Sequence, residues 1–315
     1  MKRLFKTSVL ISSVVGVVLF TACNNTQQKS SGLEDKHIPQ QDSTYACPMH
    51  PEVTGKKGDI CHKCGMELVA ATDENENRVE VELITEPQSI EAGTSTKLTF
   101  AFKENDRNVP LDISHERKVH LMIVDENLTW FRHIHPLEQA DSTYVVSETF
   151  PYGGKYILFA DHKPQGVGPT VDKKVITVKG NPNSVKVDLT PNFVSVIDGY
   201  TVTLENGDDL KTIRTQALEI SVERNKKRLA EKDIEPYLGA TAHIAMIGKE
   251  DIDFLHIHPT TDKRFPIYAE THIENPGIYR IWVEFQTYGK VHTADFTVNV
   301  LQGNEEYQEG GHNHH

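Results

Sequence analysis

Three of the four cysteines of this 315-residue chain lie in one short segment, "YACPMHPEVTGKKGDICHKCGMELVA" (45–70), with two of its five methionines. The spacing is Cys47-x2-His50, ten intervening residues, then Cys61-x2-Cys64. Two tight pairs of thiolate and imidazole ligands can grip a tetrahedral ion from opposite sides. Gly55, Gly58 and Gly65 allow the turns that such knuckles need. A segment this short buries little core, so a bound ion would contribute to its folding. The thioethers of Met49 and Met66 favour Cu(I) or Ag(I) over Zn(II). Cys47, Cys61 and Cys64, aided by His50 or by Met49 and Met66, are therefore the expected ligands. A purely structural zinc knuckle is the alternative reading of the same pairs.

A second set of candidate ligands comes from an internal repeat. "VHLMIVDENLTWFRHIHP" (119–136) answers to "AHIAMIGKEDIDFLHIHP" (242–259) at a constant offset of 123. His120 matches His243, His133 matches His256, and His135 matches His258. The offset continues through Gly154 and Gly277, Tyr156 and Tyr279, Phe159 and Trp282, and Asp161 and Glu284. In His133-Ile134-His135 the two-residue period of a strand puts both imidazoles on one face. A hairpin turning at Glu126 and Asn127 sets Asp125 opposite Leu128 and His120 opposite His133, with Cβ atoms roughly 5 Å apart. Three imidazoles then converge in each copy, as around copper or zinc. Asp161 and Glu284 are expected as fourth ligands or as acceptors behind the imidazoles. Histidines that merely hydrogen-bond the backbone of a sandwich are the alternative. The tail "EGGHNHH" carries three more histidines that can bind metal weakly. His37, His115, His162, His272 and His292 find no partner in the pattern, so surface or structural roles are expected for them.

The elements that must position these residues are strands. "VEVELITEPQSIEAGTSTKLTFAF" alternates apolar and polar residues between turn signals, and both histidine-bearing segments read as hairpins. Only "KKRLAEKDIEPYL" has any helical character, and it runs into a proline. The expected fold class is all-β: two tandem antiparallel β-sandwich domains, immunoglobulin-like or cupredoxin-like, preceded by a small metal-binding knuckle. The expected boundaries are 45–71 for the knuckle, 79–181 and 182–303 for the sandwiches, and 304–315 for the tail.

The net charge of −12 argues against nucleic acid, whose phosphates need a basic surface, and suits cationic partners. Lys2, Arg3 and Lys6 precede an apolar run from Val9 to Ala22 that is short for a membrane span and reads as a signal peptide, 1–22. The run ends in "LFTAC", which resembles a bacterial lipobox, although Phe20 stands where leucine is usual. Cleavage before Cys23 and acylation of its sulfur would tether the chain to a membrane, and loss of three basic groups would move the charge from −12 to −15. Residues 24–44 are polar and serve as a flexible tether. With Cys23 lipidated, three cysteines remain, which cannot close a disulfide framework. In an oxidising compartment, thiols persist best when a metal holds them.

"YACPMHPEV" and "CHKCGMELVA" resemble the heavy-metal-binding domain found on copper-exporting P-type ATPases and copper/silver efflux adaptors. Tyr45, Cys47, Pro48, Met49, His50, Pro51, Cys61, Cys64, Gly65, Met66 and Leu68 match that pattern, and His62 departs from it where proline is common. The resemblance implies a transition-metal ion, Cu(I)/Ag(I) or Zn(II), and an efflux pump or P-type ATPase as partner. The two β segments are similar to exported β domains that accompany metal-resistance genes, a likeness that implies a fold and no chemistry. The expected function is an envelope lipoprotein, periplasmic or on the outer membrane, that captures, buffers or delivers heavy-metal ions. A copper enzyme resembling superoxide dismutases is one alternative, but the bridging histidine and zinc-loop spacing are missing. A cupredoxin carrier normally uses a cysteine thiolate, and neither β segment contains cysteine. A structural efflux-adaptor scaffold is the other alternative. No serine-histidine-acid or phosphate-binding motif stands out, so an enzyme is not expected.

Lipid attachment is testable directly. Mass spectrometry of the membrane-extracted protein should find an acylated Cys23 at the N-terminus. A freely soluble mature form with an unmodified N-terminus at another residue would contradict the tether.

Overall fold

The computed structural model describes residues 45–46, 53–60, 68–70, 79–165, 168–185, 188–212, 215–260, 262 and 264–303. These residues are almost all strand, turn or bend. The first segment forms a three-stranded antiparallel sheet in which Tyr45–Ala46 lies between Thr54–Gly55 and Val69–Ala70. Val53 and Leu68 are its buried apolar residues. Gly58 takes φ 89°, a left-handed value that suits glycine, in the turn where Lys56 N donates to Asp59 Oδ2 at 2.7 Å.

Each repeat is a two-sheet sandwich. In the first, one sheet runs Leu137–Glu138, Tyr144–Thr149, Ser95–Glu104, Glu80–Glu86, with Arg107–Asn108 on the edge of Ser95–Glu104. The facing sheet runs Ile90–Glu91, Thr170–Lys179, Gly154–His162, Val119–Asp125, Phe131–Ile134. All these pairings are antiparallel except Ile90–Glu91 with Thr170–Lys179, which is parallel. In the second repeat the corresponding facing sheet runs Phe254–Ile257, Ala242–Gly248, Gly277–Thr287, Lys290–Val300. Its other sheet is built on Thr215–Arg224, flanked by Tyr200–Leu204 and Ile267–His272. The stretch with helical character contributes a short strand, Lys227–Arg228, and a single 3-10 turn, Glu231–Asp233.

Period-two alternation fills the sandwich cores. Tyr156, Leu158 and Ala160 point into the first, with Phe100, Phe102 and Leu121. Tyr279, Ile281 and Val283 point into the second, with Val202, Ile220 and Phe296. Tyr156 donates its hydroxyl to Tyr152 O and Tyr279 donates to Asn275 O, both at 2.9 Å, so the two repeats anchor the same corner in the same way.

Alternation fails along the whole of two strands and through the middle of their neighbours Gly154–His162 and Gly277–Thr287. Every residue of Val119–Asp125 and of Ala242–Gly248 is buried. Strands covered on one face alternate, whereas strands covered on both read as continuous apolar runs. The second cover is the other repeat. Met122, Val124, Leu128, Ile157 and Phe159 of the first repeat pack with Ala245, Ile247, Phe254 and Trp282 of the second in one apolar cluster. Phe131 stacks on Trp282 at 4.9 Å and Phe159 stacks on Phe254 at 4.3 Å. Those pairs are mates under the 123-residue offset: Phe131 corresponds to Phe254 and Phe159 to Trp282. The repeats therefore meet around a pseudo-twofold axis, as two identical subunits would in an isologous dimer.

Burying a large apolar side chain contributes about 1.5–3 kcal/mol, so the docked faces form a third apolar cluster, smaller than either core, that holds the two sandwiches together. Trp282→Ala should destabilise the protein by about 3–5 kcal/mol in urea unfolding, as for other buried aromatics. Tyr288→Ala, at a tyrosine that is 83% exposed, should stay within about 0.5 kcal/mol. Equal effects would show that the repeats do not dock through this face.

Candidate metal centre

The pseudo-twofold axis brings together the histidines of both repeats. On the docking face of the first repeat stand His120, two residues before Met122, and His133, which pairs opposite Met122. His120 pairs across the sheet with Asp161, and His243 pairs with Glu284 at the matching place in the second repeat. All four side chains therefore stand on outward faces that the other repeat covers.

The hairpin register differs from the sequence expectation. Met122, not His120, is opposite His133, and Val124 is opposite Phe131, so the turn is wider than Glu126 and Asn127. The Asp125 carboxylate accepts from Thr129 N at 2.6 Å, Trp130 N at 2.8 Å and Thr129 Oγ1 at 2.8 Å, which closes the wider loop. Leu128 takes φ 56° and buries its side chain in the interface. The shift is an even number of residues, so His120 keeps the face that brings it to His133.

One ligand atom each of His120, His133 and His135 lies within 4.8 Å of the others, and the same holds for His120, His243 and His256. His120 Nδ1 is 3.2 Å from His133 Nε2, which is 3.1 Å from His135 Nε2. In the second repeat, ring centroids are 4.3 Å apart for His256 and His258 and 5.3 Å for His243 and His258. His120 links the two sets, 5.8 Å from His243 and 5.5 Å from His256 between centroids. Six imidazoles thus form one contiguous cluster.

Their partners set their tautomers. His120 Nε2–H donates to Ser114 O at 2.9 Å, and His243 Nε2–H donates to Tyr237 O at 3.0 Å. His133 Nδ1–H donates to Glu284 at 2.7 Å, and His256 Nδ1–H donates to Asp161 at 2.6 Å. Each carboxylate belongs to the opposite repeat. Asp161 and Glu284 are therefore acceptors behind the imidazoles, and the sequence pattern gives no sign that they act across the axis. The remaining nitrogens, Nδ1 of His120 and His243 and Nε2 of His133 and His256, carry lone pairs. His243 Nδ1, His256 Nε2 and His258 Nε2 are buried without a hydrogen-bond partner.

Burial keeps five of these rings neutral, those of His120, His135, His243, His256 and His258. It pushes His120 down to about 4, against the opposing bond to Ser114 O. It pushes His243 down to about 3, helped by the neighbouring His133 and His120, and His135 down to about 2, helped by His133 and His120. His256 and His258 are lowered for the same reason, burial first and adjoining imidazoles second. Neutral imidazole is the form that binds a metal ion.

His115, for which the sequence offered no partner, adjoins the cluster and stacks on His258 at 3.6 Å. The repeat could not reveal it, because its counterpart at the same offset is Leu238. His162 and His292 are structural. The first is hydrogen-bonded to Ala160 O at 3.0 Å, and the second lies between Asp198, at 2.8 Å, and Thr287, at 3.0 Å. Cys47, Met49, His50, Cys61, Cys64 and Met66 lie outside the described residues, as do Cys23, the signal peptide, the tether, His37 and the tail.

The geometry can be set beside known proteins. A family described as "Domain of unknown function (DUF8832)" matches residues 73–180 and again 195–302. The chain belongs to that family. Both matches contain one complete histidine set and one of the crossed carboxylates. A second family, "Heavy metal binding domain", matches residues 44–71, which hold the cysteine pairs. No curated protein matches the chain. Similar solved structures include the Escherichia coli adhesin FdeC, at 15% identity over 74% of this chain and 67% of that one, TM-score 0.25. Fibronectin(III)-like modules of Clostridium thermocellum CbhA match at 14% identity over 75% of this chain and all of that one, TM-score 0.20. A two-domain fibronectin type III segment of chicken tenascin matches at 9% identity over 71% and 99%, TM-score 0.20. Likenesses this weak bear on neither ligand nor function.

The lowered imidazole values carry a pH signature in the metal-free protein. Unfolded histidine titrates near 6.5, so the stability that these neutral rings contribute is complete above that pH. It is lost as pH falls through 6.5 towards about 4 for His120 and about 3 for His243. Each ring adds a slope of up to ~1.4 kcal/mol per pH unit in that window. Thermal melts should show Tm falling from pH 6.5 to 4, with a shallower fall in His120→Asn. A pH-independent Tm over that range would contradict the neutral cluster.

Proposed function

We propose that the chain is a metal-binding lipoprotein of the cell envelope, tethered through lipidated Cys23, that captures, buffers or delivers copper- or silver-type ions. The observation that carries this reading is the match of residues 44–71 to the heavy metal binding domain, with Cys47, His50, Cys61 and Cys64 at two-pair spacing. Thiolates with the Met49 and Met66 thioethers form a soft donor set, which favours monovalent copper or silver over zinc. The polar stretch from 24 to 44 lets the module search the membrane surface for an efflux pump or P-type ATPase. The two sandwiches carry the module and add nitrogen donors of their own. The chain acts by binding and passing on ions rather than by catalysis.

Anaerobic titration of the mature protein with Cu(I), Ag(I) and Zn(II), with metal counting, tests this function. The tightest Cu(I) equivalent should be lost in a Cys61→Ser, Cys64→Ser double variant, and affinity should fall as pH drops because thiolates must deprotonate to bind. Retention of that equivalent at wild-type affinity in the double variant would refute the module as the capture site.

A further inference from the structure

The imidazole cluster between the repeats has a composition that hydrogen bonding alone does not explain. Native proteins leave few buried polar side-chain atoms unpartnered, and each one costs about 1–3 kcal/mol. Here three such nitrogens, on His243, His256 and His258, belong to one group of touching rings. In the first repeat the rings close up, and His135 Nε2 lies 3.1 Å from His133 Nε2, but one contact there is left without a proton. His120 has its proton on Nε2 facing Ser114, and His133 has its proton on Nδ1 facing Glu284. The two nitrogens that approach to 3.2 Å are therefore both lone pairs, with no proton between them. Two lone pairs at that distance repel, and a cation between them relieves the repulsion.

The spacing of the first set fits a metal ion; in the second repeat, among the described residues, His243 and His256 converge within 4.8 Å together with His120, and His258 adjoins them at 4.3 Å from His256 between ring centroids. Metal–imidazole bonds of about 2.0–2.1 Å at tetrahedral angles separate ligand nitrogens by about 3.3 Å, and the first set shows 3.2 and 3.1 Å. The crossed carboxylates complete the arrangement. A ligating histidine commonly gives its other N–H to a carboxylate, which fixes the ring and raises its basicity. His133 and His256 do so, each to an acid of the opposite repeat.

We propose that the interface between the repeats is a paired metal centre. One ion is held by His120 Nδ1, His133 Nε2 and His135 Nε2, and a second by His243 Nδ1, His256 Nε2 and His258 Nε2. Three nitrogens leave a fourth position open on each ion. The donors are all imidazole, with neither sulfur nor ligating carboxylate, so the ions are borderline first-row metals of the copper and zinc class rather than calcium or magnesium. The side chains of His133 and His256 are 1% and 4% exposed, and Nε2 of His258 is buried as well. Glu284 and Asp161 are positioning residues, and each acts on the ion of the repeat to which it does not belong. This site shares no residue with the cysteine module, so it stands or falls independently of the proposed capture function.

The test uses the full mature chain with Cys47, Cys61 and Cys64 changed to serine and Met49, His50, Met66, His312, His314 and His315 changed to alanine, which removes the other named metal ligands. Cu(I), Cu(II) and Zn(II) are titrated in separate arms, with metal counted after dialysis and folding followed by circular dichroism. Two equivalents of at least one of these ions should remain, with one lost in His133→Ala and the other in His256→Ala. The variants His135→Gln and His258→Gln serve if the alanine ones do not fold, and should weaken one ion each. The crossed dependence is the decisive part. In the His256→Ala background, Glu284→Gln should weaken the remaining ion by about 10–100-fold, while Asp161→Asn changes it by less than about 3-fold. The His133→Ala background should give the mirror result. No retained equivalent of any of the three ions, a single shared equivalent, or carboxylates that act only within their own repeat would each overturn the paired centre.

Discussion

Two hydrogen bonds organise the core of this molecule, His133 to Glu284 and His256 to Asp161, and both cross from one repeat to the other. Each fixes an imidazole tautomer and turns its second nitrogen toward the axis. Neither can form within a single sandwich, because Glu284 lies on the second repeat's sheet beside His243 and Asp161 on the first's beside His120. The functional geometry thus belongs to the pair. Tandem copies of one domain here behave as the two halves of an internal dimer, which explains why the offset preserves residues on the outward face of each sheet as well as in each core.

That arrangement costs free energy, and the aromatic pairs around it offset the cost. Burying imidazoles with unpartnered nitrogens is unfavourable by about 1–3 kcal/mol per group. Phe131 on Trp282 and Phe159 on Phe254 each exclude water over a large area and flank the polar centre symmetrically. The same burial lowers the histidine pKa values and keeps the lone pairs available at neutral pH. Stability and ligand readiness therefore share one cause, the docking of the two sheets.

Much of the architecture was legible in the chain. The 123-residue offset, the His-x-His pairs and strand alternation gave two sandwiches, and the even spacing gave a common face for His120, His133 and His135. Asp161 and Glu284 stood out because they recur at the offset, as fourth ligands or as acceptors, and only the structure places them behind imidazoles. What the sequence withheld were facts about other parts of the fold. The hairpin register depended on Asp125 capturing Thr129 and Trp130, which a two-residue turn estimate cannot foresee. The crossing of the carboxylates depended on the docking of two copies, and a repeat looks the same in sequence whether its members touch or not. The uninterrupted burial of "VHLMIVD" and "AHIAMIG" was the available clue, since a strand with one wet face would have kept polar residues at alternate positions. His115 carried no signal at all, because it lies in a loop and its counterpart is a leucine.

Anomalous diffraction at the copper or zinc absorption edge, from crystals of the full chain grown with that ion, tests the paired centre most directly. Two peaks should lie between the repeats, one within about 2.1 Å of nitrogens from His120, His133 and His135, the other similarly placed among His243, His256 and His258. A map with no anomalous density between the repeats, while the cysteine module is loaded, would contradict it.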